Sequence, residues 1–178
     1  MRVALIAVAG ACAMLAACGG PKASQEEKSS DAKPAPSVMA MVAAPVSGAN
    51  AAKIMHERHE GMETIGKANK AIRRELETSS PNVGTIRASA AQIADLAKKS
   101  SGWFPAGTGP EVGKTGAKPE IWQDPKDFAA KLAVFQKSAA AFNAAASGGD
   151  VNAIKARFGD LGQTCKACHD KYRSDMHH

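Results

Sequence analysis

Apolar residues recur at helical spacing in four stretches of this chain. In the first, Met55, Met62, Ile65, Asn69, Ile72 and Leu76 fall three, four or seven apart, the stripe of a helix expected from Ala51 to Thr78. Ser79-Ser80-Pro81-Asn82 stops it. The second helix is expected from Val83 to Lys99, with Val83, Ile86, Ala90, Ile93, Leu96 and Ala97 on one face and two lysines at its carboxyl end. The third opens on Asp124-Pro125, a capping residue followed by proline in the first turn, and carries Phe128, Leu132, Phe135, Ala139 and Phe142 until Ser147-Gly148-Gly149. The fourth is capped by Asp150 and carries Val151, Ile154, Phe158, Leu161, Cys165, Cys168 and Tyr172. Four amphipathic helices with mostly short connections predict an all-α, antiparallel up-down-up-down four-helix bundle. The exception among the connections is residues 100–123, rich in Gly and Pro with Trp103, Phe104 and Trp122 embedded. A loop this long in a compact domain is functional or tied down, and its aromatics either cap the bundle end or press on a bound group.

The amino-terminal fifty residues follow a different pattern. Arg2 precedes a short apolar run ending in small residues, so residues 1–17 are expected to be an export signal, too short for a convincing membrane span. Leu15-Ala16-Ala17-Cys18-Gly19 resembles a bacterial lipoprotein signal, which makes Cys18 the expected lipid-modified residue and places the protein in the periplasm, anchored to a membrane. Residues 18–50, punctuated by Pro21, Pro34, Pro36 and Pro45, are expected to be a flexible tether, since they carry too little apolar surface to offset the entropy of ordering. The remainder, residues 51–178, has the size of one domain.

Composition sharpens this picture in one respect. Aromatics are 4% of the 178 residues and Tyr172 is the only tyrosine, so the helices have little bulky filling of their own. The formal charge of +6 suits either an acidic partner or a solvated lysine-rich surface. Neither an aromatic-interleaved basic patch nor a nucleic-acid motif is present.

The chemistry sits in Cys165-Lys166-Ala167-Cys168-His169. Cys-x-x-Cys-His is the attachment signal for haem c. Two thiols three apart on a helix face one side and can each bond a haem vinyl group, and His169 then offers its imidazole to the iron. A thioredoxin-type pair belongs beside a strand of a βαβ unit, and no strand pattern is found. A structural zinc site wants four protein ligands, whereas the other cysteines, Cys12 and Cys18, lie in or at the export segment. Two cysteines three apart on a helix are poorly placed for a disulfide. One covalent haem c is therefore expected on Cys165 and Cys168, with His169 as axial ligand.

With these residues in view, residues 51–173 resemble the class II c-type cytochromes, the cytochrome c′ group. The resemblance is carried by Pro119-Glu120-Ile121-Trp122-Gln123-Asp124, by the run from Phe158 through His169, and by Tyr172-Arg173. It implies a haem on the last helix with His169 as proximal ligand, an electron-carrying or gas-binding role rather than catalysis, and room for a homodimer through the first two helices. It also sets Arg173 beside the proximal imidazole, where the residues alone allow an ordinary surface position.

Function then turns on what faces His169. The bundle topology brings the last turns of the fourth helix against the early turns of the first, where Met62 lies on the inner stripe. Met62 also precedes Gly66 by four, as the family's distal position precedes a glycine. By resemblance to methionine-bearing members, Met62 is expected as distal axial ligand of a low-spin electron carrier serving redox partner proteins; as a residue, methionine is equally a flexible core filler. Met55 and His59 are weaker ligand candidates, His56 is expected to face solvent, and the terminal His177 and His178 are expected to be mobile and too close in sequence to His169 to reach the other haem face. His59 is otherwise expected at the pocket rim, with Arg58 paired either with a haem propionate or with a nearby glutamate. The alternative function is a five-coordinate haem that binds or sequesters nitric oxide.

Overall fold

The computed structural model describes residues 44–175. The export signal, Cys12, Cys18, most of the tether, His177 and His178 lie outside the described residues. The elements are α1 (Gly48–Leu76), α2 (Val83–Lys99), a single 3-10 turn (Ser100–Gly102), the short α3 (Glu120–Gln123), α4 (Pro125–Gly148) and α5 (Val151–Tyr172). The fold is the expected four-helix bundle, with α1, α2, α4 and α5 as its members. No described helix is long and apolar enough to cross a membrane.

Local chemistry sets the boundaries. Asn82, Asp124 and Asp150 each accept a hydrogen bond from the backbone N–H three residues on, at Thr85, Asp127 and Ala153, filling donors that a helix start leaves unpaired. Pro125 occupies the first turn of α4. Gly149 ends α4 with φ of 82°, a left-handed conformation glycine adopts without steric cost. The tether ends earlier than residue 50: Val46 N–H donates to the Ala106 carbonyl at 2.8 Å, and α1 already begins at Gly48. The mild apolarity of Val46 and a backbone bond to the loop tie these residues down.

Register follows from cross-helix bonds. Arg87, early in α2, reaches the Ser147 carbonyl at the end of α4, while Gln136 of α4 reaches the Ala97 carbonyl near the end of α2. The two helices are antiparallel. Lys171 near the end of α5 meets Asp124 and Asp127 at the start of α4, so these two are antiparallel as well. One end of the bundle therefore gathers the beginning of α1, the end of α2, the beginning of α4 and the end of α5.

The core is one continuous cluster through the bundle, including Ile72, Ile86, Ile93, Phe142, Ile154 and Leu161, all fully buried. Complete burial of each such side chain stabilises the fold by about 1.5–3 kcal/mol. A second cluster at the gathered end holds Ile121, Phe128 and Tyr172. Phe104 packs on both clusters and meets Phe128 edge-on at 4.7 Å, and Phe128 meets Tyr172 at 5.2 Å.

The inner face of α1 is not centred where the apolar stripe placed it. Ala51, Arg58, Gly61, Ile65, Ala68 and Ile72 are buried, whereas Met55, Met62 and Asn69 are half-buried. Trp103 causes the offset. Its indole lies on Gly61 so closely that a Cβ added there would run into Cη2 and Cζ2 of the ring. Both are buried, so the ring has no room to retreat. We predict that Gly61→Ala lowers stability by about 1–3 kcal/mol through overpacking. Urea unfolding of the mature protein followed by tryptophan fluorescence measures this; an unchanged midpoint would contradict the packing.

Candidate haem site

Three helix seams of the bundle are closed: α1 packs along α2, α2 along α4, and α4 along α5. The fourth is not. Helices α1 and α5 do not share a comparable packing interface. The candidate site lies along this seam at the gathered end.

On the α5 side stand Cys165, Cys168 and His169. Both thiols are free and half-buried. Cys165 packs on the main core and Cys168 on the aromatic cluster, so the pair straddles the junction of the two. They are less deeply placed than the core-facing stripe suggested: both are half-buried and pack against the clusters from their edge. Burial raises the pKa of both, chiefly by desolvating the thiolate, with Lys131 opposing this at Cys168. His169 is exposed. Even so, desolvation first and the charge of Arg173 second hold its pKa below the ordinary histidine value, against a smaller opposite effect of Asp170. The neutral imidazole so favoured is the form that ligates metal.

Arg173 does not continue the helix. It is the extended cap residue of α5 and forms an antiparallel bridge with Ala117. Arg173 is on the surface, as the surface-helix alternative had it, but not in the helix, and it lies near enough for its charge to act on His169. Beside it, the buried Tyr172 hydroxyl donates to Asp127 Oδ2 at 2.6 Å, and Lys171 donates to Asp124 and Asp127 at 3.1 and 2.9 Å. These bonds fasten the end of α5 to the start of α4.

On the α1 side stand Met62 and Gly66. Met62 is half-buried and packs against the main core. A Cβ at Gly66 would meet nothing within 4 Å, so this glycine does not serve close helix packing and borders open space. His59 is exposed and lies 3.5 Å from Glu63, away from the interior. Met55 Cε sits close to Gly113, under the long loop.

Arg58 is the surprise. The exposed glutamate pair fails, because Arg58 is 95% shielded from solvent. Its Nη1 donates to the Trp103 carbonyl at 3.0 Å and to Thr108 Oγ1 at 3.3 Å, and its Nη2 to the Thr108 carbonyl and Thr115 Oγ1, both at 2.9 Å. Its guanidinium stands over the rings of Phe104 at 5.2 Å and Trp122 at 5.9 Å. None of these partners is a carboxylate, and burial lowers its pKa. The loop aromatics thus do more than cap: Trp103 enters the core, Phe104 joins the two clusters, and the Trp122 indole N–H donates to the Phe104 and Pro105 carbonyls.

The sequence model of one family, described as Cytochrome C′, matches residues 53–173. The chain belongs to the cytochrome c′ family. Cytochrome c′ of Allochromatium vinosum is 35% identical over 120 residues, 66% of this chain and 77% of that one. Cytochrome c′ of Alcaligenes xylosoxydans is 46% identical over 71 residues, 40% of this chain; the match spans about half, 54%, of the relative. Among solved structures, a nitric oxide complex of a mutant cytochrome c prime from Alcaligenes xylosoxidans superposes with a TM-score of 0.64 at 28% identity, covering 72% of this chain and all of that one.

A cytochrome c′ binds a single covalently attached haem c. The residues here fit that group on structural grounds: two half-buried thiols outside any disulfide and an imidazole stand together on α5, the α1/α5 pair packs less closely than the other three, and Gly66 of α1 borders open space.

The α4–α5 fastening yields a pH prediction. Hydrogen bonds from Tyr172 and then Lys171 hold the Asp127 carboxyl below its usual pKa of 3.8. A depressed folded-state pKa contributes stability above the unfolded value, and that contribution is lost as pH falls through the folded one. The melting-temperature gap between the wild type and Asp127→Asn should be widest above about pH 5 and narrow as pH drops below about 4. A gap that is independent of pH would contradict the assignment.

Proposed function

We propose that this cytochrome c′ is a gas-binding haem protein, with the haem joined to Cys165 and Cys168 and held by His169 on one side only. When bound, the haem would supply an iron able to bind a diatomic such as nitric oxide. The residues then have distinct tasks. Cys165 and Cys168 fix the group to α5 where the two hydrophobic clusters meet. His169 is held neutral by its surroundings and supplies the proximal nitrogen. Met62 packs on the core and crowds the far side without ligating, excluding water and larger molecules.

The observation that carries this reading is the likeness over the whole bundle to a cytochrome c′ solved as a nitric oxide complex. The low-spin carrier expected from Met62 finds no such support. In the same reading the protein acts outside the cytoplasm, held near a membrane through Cys18, and pairs as a homodimer through α1 and α2.

Two measurements test the proposal. The purified ferric protein should show high-spin absorption, and the ferrous protein should bind nitric oxide stoichiometrically. Met62→Ala should leave the resting coordination unchanged and speed ligand association by about tenfold, the effect of lowering a barrier by roughly 1.4 kcal/mol. Low-spin spectra that Met62→Ala converts to high-spin would instead establish a sulfur ligand and the electron-carrier role.

A further inference from the structure

The unclosed α1/α5 seam is bridged at one end by the long loop, and the loop holds each helix by different bonds. Toward α1, Trp103 lies on Gly61, and the Trp103 carbonyl, both oxygens of Thr108 and the Thr115 hydroxyl all accept from Arg58. Toward α5, Lys118 N–H donates to the Tyr172 carbonyl at 2.9 Å, Ser174 N–H donates to the Gly116 carbonyl at 2.9 Å, and Ala117 pairs with Arg173. Thr115 connects the two sets, because its hydroxyl also accepts from Ala117 N–H at 3.2 Å. Residues 103–118 thus form a strap across the one seam that helix packing leaves unsealed.

The strap's hold on α1 is concentrated in a single side chain. Arg58 and Gly61 stand four and one residues before Met62, on the turn that leads into it. Arginine offers a planar fork of donors that lysine cannot reproduce. A buried guanidinium without a carboxylate is costly unless its donors are filled, and here the filling groups belong to the loop. The arrangement is therefore self-locking. Moving the loop away strands the charge, and removing the charge strands four loop acceptors. Phe104 and Trp122 add faces to the same cation.

We propose that Arg58 is a positioning residue that clasps the 103–118 strap over the α1/α5 seam and thereby sets how fast a diatomic ligand reaches the Met62 side. This rests on the gas-binding reading above. Arg58 acts through the loop and touches neither the attachment residues nor the ligand's position.

The test uses the matured haem protein, its Arg58→Lys variant and its Thr115→Val variant, which keeps the buried charge and removes one acceptor. Hydrogen exchange reports the clasp, and flash photolysis of the carbon monoxide complex reports access. Losing one charge-assisted hydrogen bond should speed exchange at Lys118 and Ser174 by about tenfold or more, since such bonds contribute about 1.5–3 kcal/mol. Carbon monoxide association should rise in both variants, more in Arg58→Lys, with the resting absorption spectrum unchanged. Unaltered exchange in both variants would overturn the clasp. Faster exchange with unaltered association would overturn its role in access. A wild type that binds no carbon monoxide sinks the gas-binding reading and this role with it, whereas normal binding with unaltered variants sinks this role alone.

Discussion

The architecture of this molecule turns on one pair of helices that does not pack as closely as the others. Three pairs of helices in the bundle pack along their lengths, and the fourth pair, α1 with α5, does not. A four-helix bundle buries its apolar stripes by closing the ring, so an unclosed pair must be spanned by something else. Two things span it. One is the loop from Trp103 to Lys118, bonded to both helices. The other, in the function proposed above, is the haem of a cytochrome c′, whose flat apolar macrocycle would supply bulk that a chain with 4% aromatics lacks. Cys165, Cys168 and Met62, the residues proposed to meet it, are all half-buried.

The same seam links stability to function. The end of α5 is fixed from three sides: by Tyr172 and Lys171 to α4, by backbone bonds to residues 116–118, and by edge-on aromatic contact to Phe128. His169 precedes Tyr172 by less than one turn, so its imidazole inherits that rigidity. The α1 side is held differently, by a buried cation whose partners all lie in the loop. Rigid support under the proximal residue and a separable strap on the other side suit a protein that keeps one axial bond permanently and admits a second ligand.

Much of this was legible in the sequence, because its signals are local. The attachment motif is five consecutive residues, and the caps at Asp124 and Asp150 lie where their side chains accept from the third residue on. The stripes of α2 and α4 match the buried residues closely, since Ile and Phe bury wherever they share a face. The α1 face was misplaced for a physical reason. Its centre is an arginine and a glycine, one that reads as surface and one that carries no hydropathy signal, and both are buried by partners more than 40 residues away. The strap could not be read either, since its acceptors are mostly backbone carbonyls and hydroxyls, groups that every loop possesses. The expectation of a sulfur ligand came from the resemblance to methionine-bearing family members; Met62 itself is half-buried, at the edge of the offset face.

The central claim is that the seam holds a haem bonded to α5 and ligated by the protein from one side. The resonance Raman spectrum of the matured ferrous protein tests it most directly. The account predicts five-coordinate, high-spin marker bands together with an iron–histidine stretch that disappears in His169→Gly. Six-coordinate, low-spin bands in the ferrous wild type would contradict it.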